Sequence, residues 1–247
     1  MNRLVIVISD KGGTGKSTFA RAYADWLRRN VKHAFIQDAD GGVGQLLQAL
    51  GERGKDGVLK PDQNGLIGAQ YFNVFDARER EAIVDGFDKG AERILIDMPA
   101  GTVALLGEID REVGLFELAK RQGYRATIVN AITPMLASGR TVGTILEKFG
   151  DQPDLGFVIV RNAAFGPEPD DWQLYTESRG RAALLDRGGI ELTMPVMRMR
   201  TYSLIDAHKL GFTAATFDTR LKSFDRHVVY QWLKQMDREI ELAGGLL

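Results

Sequence analysis

The sequence contains no cysteine. Disulfides, iron–sulfur clusters, thiolate zinc sites and cysteine nucleophiles are thereby excluded. Histidine is nearly as scarce. His33, His208 and His227 are scattered and have no metal-ligand spacing. No apolar run approaches the roughly 20 residues that span a bilayer. The opening Met1-Asn2-Arg3 before Leu4–Ile8 is too short for a secretion signal, so the expected compartment is the cytoplasm. A charge excess is missing too: 32 Lys+Arg stand against 33 Asp+Glu, a net −1. Composition therefore gives no global argument for DNA or an anionic membrane as partner. Internal repeats, low-complexity segments and a Pro/Ser-rich linker are also absent.

What is present is an ordinary globular composition, 247 residues with 44% hydrophobic and 26% charged. Short apolar runs alternate with longer amphipathic stretches, the pattern of βα units. Strands are expected at Leu4–Ile8, Ala34–Gln37, Tyr71–Phe75, Arg93–Ile96, Ala126–Ala131, Phe157–Val160 and Glu191–Met194. Helices are expected at Ser17–Arg29, Ala77–Phe87, Val103–Arg121, Leu136–Phe149, Trp172–Leu185 and Thr219–Leu242. Several strands are apolar on successive residues, as strands buried on both faces are. The expectation is one α/β domain over residues 1–247, with a mostly parallel sheet of about seven strands flanked by helices. Gly51–Gly68 and Ala163–Asp171 read as long loops.

The first strand runs into Ser9-Asp10, then Lys11-Gly12-Gly13-Thr14-Gly15-Lys16-Ser17-Thr18, then a helix. That succession is the context of a phosphate-binding loop. Glycines let the backbone curl so that successive N–H groups point inward. The helix start adds its positive dipole end. Lys16 places a compact positive charge at the β/γ-phosphates, and the Ser17 hydroxyl suits Mg²⁺, a hard cation that keeps several waters. A strict loop of this kind has Gly where this chain has Asp10. Asp10 either points away from the site or pairs with Lys11.

Acids stand at the ends of two further strands. Ala34–Gln37 leads into Asp38-Ala39-Asp40, and carboxylates at the C-terminal end of a parallel strand sit on the ligand-binding edge. Arg93–Ile96 ends in Asp97-Met98-Pro99-Ala100-Gly101, the arrangement that holds a Mg²⁺-bound water. Phe157–Val160 ends at Arg161-Asn162, and an Asn amide offers both an acceptor and donors.

The Lys11-Gly12-Gly13-x-Gly15-Lys16-Ser17 pattern resembles the deviant Walker A ATPases of the MinD/ParA family. The resemblance implies a P-loop fold, ATP and Mg²⁺ as cofactors, and hydrolysis of ATP that is slow without a stimulating partner protein. It implies that Lys11 reaches across a homodimer to the partner's ATP, that Asp40 positions the attacking water, and that Asp38 lies near Mg²⁺ with Ser17 and Asp97. It assigns Asn162 to adenine selection and Pro195, in Met194-Pro195-Val196, to backbone contact with the base. Gly12, Gly13, Thr14, Gly15, Lys16, Ser17 and Thr18 hold the nucleotide. The output implied is DNA or plasmid partition, transfer or cargo positioning. The later half also resembles plasmid-transfer ATPases of the TraL type, through Asn162, Gly166 and Pro167 and through Arg220-Leu221-Lys222. An alternative within the same P-loop branch is a small-molecule ligase or kinase like dethiobiotin synthetase or the cobyrinate-amidating enzymes.

Two partner surfaces follow from the resemblance. From Ser178 to Lys234 the chain carries ten Lys/Arg and five Asp/Glu. Arg179, Arg181, Arg187, Arg198, Arg200, Arg220, Lys222 and Arg226 either make a face for nonspecific DNA or are dispersed as solvated charge. The C-terminal helix has Val229, Trp232, Leu233, Met236 and Ile240 on one side, and its other side is mixed in charge. It is expected to dock on the sheet rather than on a membrane. Gly244–Leu247 is expected to fray.

Overall fold

The computed structural model describes residues 1–247. Its strands are β1 (Asn2–Ser9), β2 (Ala34–Asp38), β3 (Gln70–Tyr71), β4 (Arg93–Ala100), β5 (Tyr124–Ile132), β6 (Gly156–Asn162) and β7 (Ile190–Met194). They form one sheet in the order β3-β2-β4-β1-β5-β6-β7, and every pairing is parallel. Alternation in β1 explains its unbroken apolar run. Leu4, Ile6 and Ile8 enter one core, while Val5 and Val7 enter the other.

The helices are α1 (Lys16–Asn30), α2 (Gln45–Leu50), α3 (Asp85–Asp88), α4 (Val103–Val113), α5 (Leu115–Arg121), α6 (Leu136–Phe149), α7 (Gln173–Thr176), α8 (Arg179–Asp186), α9 (Met199–Ala207), α10 (Phe212–Ala215) and α11 (Ser223–Leu242). Side chains of α4, α5, α6 and α8 fill the core containing Leu4. Those of α1, α9, α10 and α11 fill the core containing Val5. α11 buries Val229, Trp232, Leu233, Met236 and Ile240, so its apolar stripe docks on the sheet as expected. No helix is long and apolar enough to cross a membrane.

Several elements differ from the sequence reading. Ala77–Phe87 is a 3₁₀ turn at Arg80–Val84 leading into the short α3. The stretch Val103–Arg121 breaks at Gly114, whose φ of 64° ends α4 and starts α5. The Trp172–Leu185 stretch splits because the Ser178 side chain caps α8, accepting from the Arg181 N–H. β3 has only two residues. After it, Asn73 forms an antiparallel bridge with Asp40, which pins the loop rather than extending the strand. The sequence reading omitted α2, α9 and α10. The C-terminus does not fray. Gly244–Leu246 forms a 3₁₀ turn, Leu247 is buried, and Thr127 donates to the Leu246 carbonyl at 2.6 Å.

Gly51–Gly68 contains no helix or strand, as expected. One side chain ties its far end to α1. Arg28, on α1, donates to the carbonyls of Ala34 (2.7 Å), Leu66 (2.8 Å), Gly65 (2.6 Å) and Gly68 (2.7 Å). No carboxylate faces this guanidinium, and burial pushes its pKa down to about 10. Replacing Arg28 with Met leaves these carbonyls without their shared donor. The expected loss is about 2–4 kcal/mol, read by urea unfolding, with faster proteolysis inside Gly51–Gly68. Unchanged stability and cleavage would contradict the assigned role.

Candidate functional site

All the strands run the same way, so the C-terminal ends of β1, β2, β4, β6 and β7 meet at one edge. A cleft of about 580 Å³ opens there. One end is lined by Lys11 through Thr18 and by Asp40. The other end is lined by Asn162, Phe165, Met194, Pro195, Met197 and Trp232.

The loop between β1 and α1 is shaped by glycine. Gly13 and Gly15 have φ of 74° and 95°, a region that side chains disfavour. A Cβ on Gly15 would collide with Asn162 Nδ2 and Met194 Cε. No side chain caps the N-terminus of α1, so its first amide groups are left for an anion. A Cβ at Gly12 or Gly13 would meet nothing within 4 Å, and both residues line the cleft. These features fit a phosphate chain.

Lys16 lies at the centre. Its Nζ donates to Asp97 Oδ1 at 2.8 Å and to Ser17 Oγ at 3.0 Å. Asp97 on β4 pairs in register with Val7 of β1 and with Asp38 of β2. Asp38 is 1% exposed. Its two oxygens accept from the backbone N–H groups of Asp40 (3.1 Å) and Leu47 (2.8 Å), so it caps the first turn of α2. Gly44 is required there because a Cβ would overlap the Asp38 carboxylate. Burial, and next the negative charge of Asp97, push the Asp38 carboxyl up to about 6. Asp40 is exposed, and its carboxyl is shifted upward by partial desolvation. No three His, Asp or Glu side chains cluster to hold a metal by themselves. Ser17 Oγ with Asp97 and Asp38 is instead a sparse set of hard oxygens, which suits magnesium.

Lys11 is exposed and takes part in no ion pair. Asp10 does not pair with it. The Asp10 carboxylate accepts from the Val103 N–H at 3.3 Å, at the start of α4. Gly101 N–H donates to the Ser9 carbonyl at 2.9 Å. The loop after β4 is thus tied to the loop after β1.

Asn162 is buried. Its Nδ2 donates to the Thr14 carbonyl at 3.0 Å, and its Oδ1 accepts from the Ala164 N–H at 3.1 Å. Its side chain therefore braces the phosphate loop as well as lining the cleft. Pro195 lines the cleft, and its carbonyl accepts from Trp232 Nε1 at 2.7 Å. Sequence reasoning missed Phe165, Met197, Met199, Tyr202 and Trp232, which also face the cleft. The one available signal was methionine at 194, 197 and 199, an apolar loop beginning at a strand's ligand end.

The basic residues fall into two groups on opposite faces of the sheet. Arg179 and Arg181 are on α8, with Arg187 just after it, and α8 packs with the core containing Leu4. Arg198, Arg200, Arg220, Lys222 and Arg226 surround α9 and the start of α11, on the other face. Arg181, Arg200 and Arg220 are paired with Glu191, Asp225 and Asp218.

Asp38 gives a pH test. A folded-state pKa of about 6 stands above the ordinary 3.8. Below about pH 4 both folded and unfolded chains hold this proton. Between about pH 4 and 6 only the folded chain holds it, so its contribution to stability falls as pH rises through that window. Above about 6 both states are ionised and the penalty is constant. Carbon-13 NMR of the metal-free protein is expected to show Asp38 titrating near pH 6; a midpoint near 4 would contradict the buried pairing with Asp97.

No family model matches the chain. Protein MobD of Acidithiobacillus ferrooxidans is 22% identical over 240 residues, 96% of each chain. Among solved structures, apo McdA of Cyanthece superposes with a TM-score of 0.55 at 17% identity, covering 99% of this chain and 100% of that one. MinD of Pyrococcus horikoshii, complexed with Mg-ADP, gives 0.54 at 16% identity, covering 100% and 99%. A ParA family ATPase of Chlorobium tepidum gives 0.54 at 15% identity, covering 94% and 98%. The α/β architecture with its parallel seven-stranded sheet matches the MinD and ParA ATPases, and the chain has their fold.

Proposed function

We propose that the chain is a Mg²⁺-dependent ATP-binding and ATP-hydrolysing switch that dimerises around ATP and serves DNA or plasmid partition, transfer or cargo positioning. One observation carries this reading. At the mouth of a phosphate-shaped cleft stand two lysines with opposite circumstances. Lys16 is held against Asp97, while Lys11 is exposed and without an anion.

The chain's own groups divide the work. The amides of the Gly12–Lys16 loop and the Lys16 ammonium bind the phosphates. To do so, Lys16 would exchange Asp97 for phosphoryl oxygens, leaving Asp97 and Ser17 as the residues that would hold magnesium. Asp38 holds the α2 turn and adds charge behind Asp97. Magnesium, when bound, supplies neutralisation of phosphate charge. Asp40, the exposed acid at the cleft, accepts a hydrogen bond from the attacking water. Asn162 and the apolar end from Met194 to Met197 receive the base, with Pro195 at its rim. Lys11 has no anion to meet in its own subunit, and a second copy's ATP offers one. A cation supplied in trans is worth roughly 10³–10⁵ in rate, so an isolated subunit turns over slowly. The group Arg198, Lys222 and Arg226, free of carboxylate partners beside α9 and α11, is the surface for DNA phosphates, and a stimulating partner protein sets the cycle time.

Light scattering on size-exclusion eluates tests this. The Asp40→Ala variant is expected to run as a dimer with Mg²⁺ and ATP and as a monomer with ADP. Adding Lys11→Ala is expected to abolish that dimer, and Lys11→Ala alone to lower turnover by roughly 10³-fold. A monomer under every condition would sink the sandwich reading.

A further inference from the structure

Arg21 is a guanidinium sealed inside the protein, 2% exposed, three residues beyond Thr18 on α1. Its NH1 donates to Asp206 Oδ1 at 2.6 Å and lies 3.4 Å from the Tyr202 hydroxyl. Its NH2 donates to the Leu210 carbonyl at 3.0 Å. The Tyr202 and Phe212 rings flank it, with centroids at 5.7 and 4.8 Å. The Tyr202 hydroxyl is also 2.9 Å from Thr18 Oγ1. Thr18 and Tyr202 both line the cleft.

The buried end of this chain constrains its hydrogen-bond polarity. Arginine only donates. The Tyr202 oxygen accepts from Arg21, and its single proton is available to Thr18 Oγ1, a contact in which either oxygen can donate. Thr18 makes no other hydrogen bond through its hydroxyl, so its own proton is left to donate into the cleft. A threonine hydroxyl alone rotates freely and acts as donor or acceptor alike. With the Tyr202 proton directed to it, it becomes a donor in the first turn of α1, lining the cleft. Asp206, one turn along α9 from Tyr202, holds Arg21 in place.

We infer that Tyr202 is a positioning residue that presets the Thr18 hydroxyl as a donor to the innermost phosphoryl oxygen of a bound nucleotide. The inference rests on the nucleotide reading of the cleft. The phosphoryl group concerned is the one that joins the nucleoside, because Lys16 and the loop amides serve the outer two. The same tie fastens α9, which buries only Thr201 and Ile205, to the helix that grips the phosphates.

The test is a double-mutant cycle read by calorimetry, with Tyr202→Phe, Thr18→Val and the double variant titrated with ADP and with inorganic pyrophosphate, each with Mg²⁺. Tyr202→Phe keeps the ring and removes only the hydroxyl. Each single change is expected to weaken ADP roughly 3- to 10-fold, the net worth of one hydrogen bond. The double variant is expected to be no weaker than either single one. Pyrophosphate, which has no nucleoside-linked phosphoryl group, is expected to bind all forms equally. A packing role for Tyr202 would not produce this split. Unchanged ADP affinity in Tyr202→Phe, additive losses in the double variant, or equal losses for pyrophosphate would each overturn the inference while leaving nucleotide binding intact. Failure of the unaltered protein to bind ADP would overturn the reading of the cleft itself, and this inference with it.

Discussion

The Lys16–Asp97 contact organises the functional edge of this protein. A lysine that starts α1 meets an aspartate near the end of β4 because β1 and β4 are neighbours in a parallel sheet. Parallel register brings Asp38 beside Asp97, so two carboxylates share a site almost without solvent. Such a pair is costly unless a cation and N–H donors compensate it. Lys16 provides the cation. The amides of Asp40 and Leu47 provide the donors to Asp38. Burial, and next the charge of Asp97, still raise the Asp38 pKa.

The phosphate loop is also clamped from the far side. Asn162 and Met194 press on Gly15, and Asn162 donates to Thr14. The ends of β6 and β7 therefore set the shape of a loop that begins at β1. The loop after β4 joins through Ser9 and Asp10. The Gly-rich loop, the ends of β6 and β7 and the Pro99–Gly101 turn thus share backbone and side-chain bonds.

How far the sequence could be read depended on range. Runs such as Leu4–Ile8 and Phe157–Val160 announced the sheet, because a strand buried on both faces is apolar at every residue. The tight turn between β1 and α1 was legible from its glycines, because its shape is written in adjacent residues. Elements defined by distant partners were hidden. α2 depends on a cap from Asp38. α10 depends on Asp25, which accepts from the Phe212 and Thr213 N–H groups. α9 buries only two residues and has no side-chain cap, so neither periodicity nor capping marked it. Asn162 was legible as a polar strand end, yet its bond to Thr14 spans 148 positions, and no local pattern carries that. Asp10 was open in the sequence between two orientations, and only the position of α4 decided it. The tail Gly244–Leu247 looked like a frayed end, but its partner Thr127 lies on β5.

The central claim is that the loop after β1 holds the phosphates of an adenine nucleotide, with Lys16 leaving Asp97 to do so. Calorimetric titration of the full chain with ATP and Mg²⁺ addresses it most directly. One nucleotide per chain, with binding lost on Lys16→Ala in a protein that remains folded, is the predicted result. No heat of binding from well-folded wild-type protein, or undiminished binding by Lys16→Ala, would contradict it.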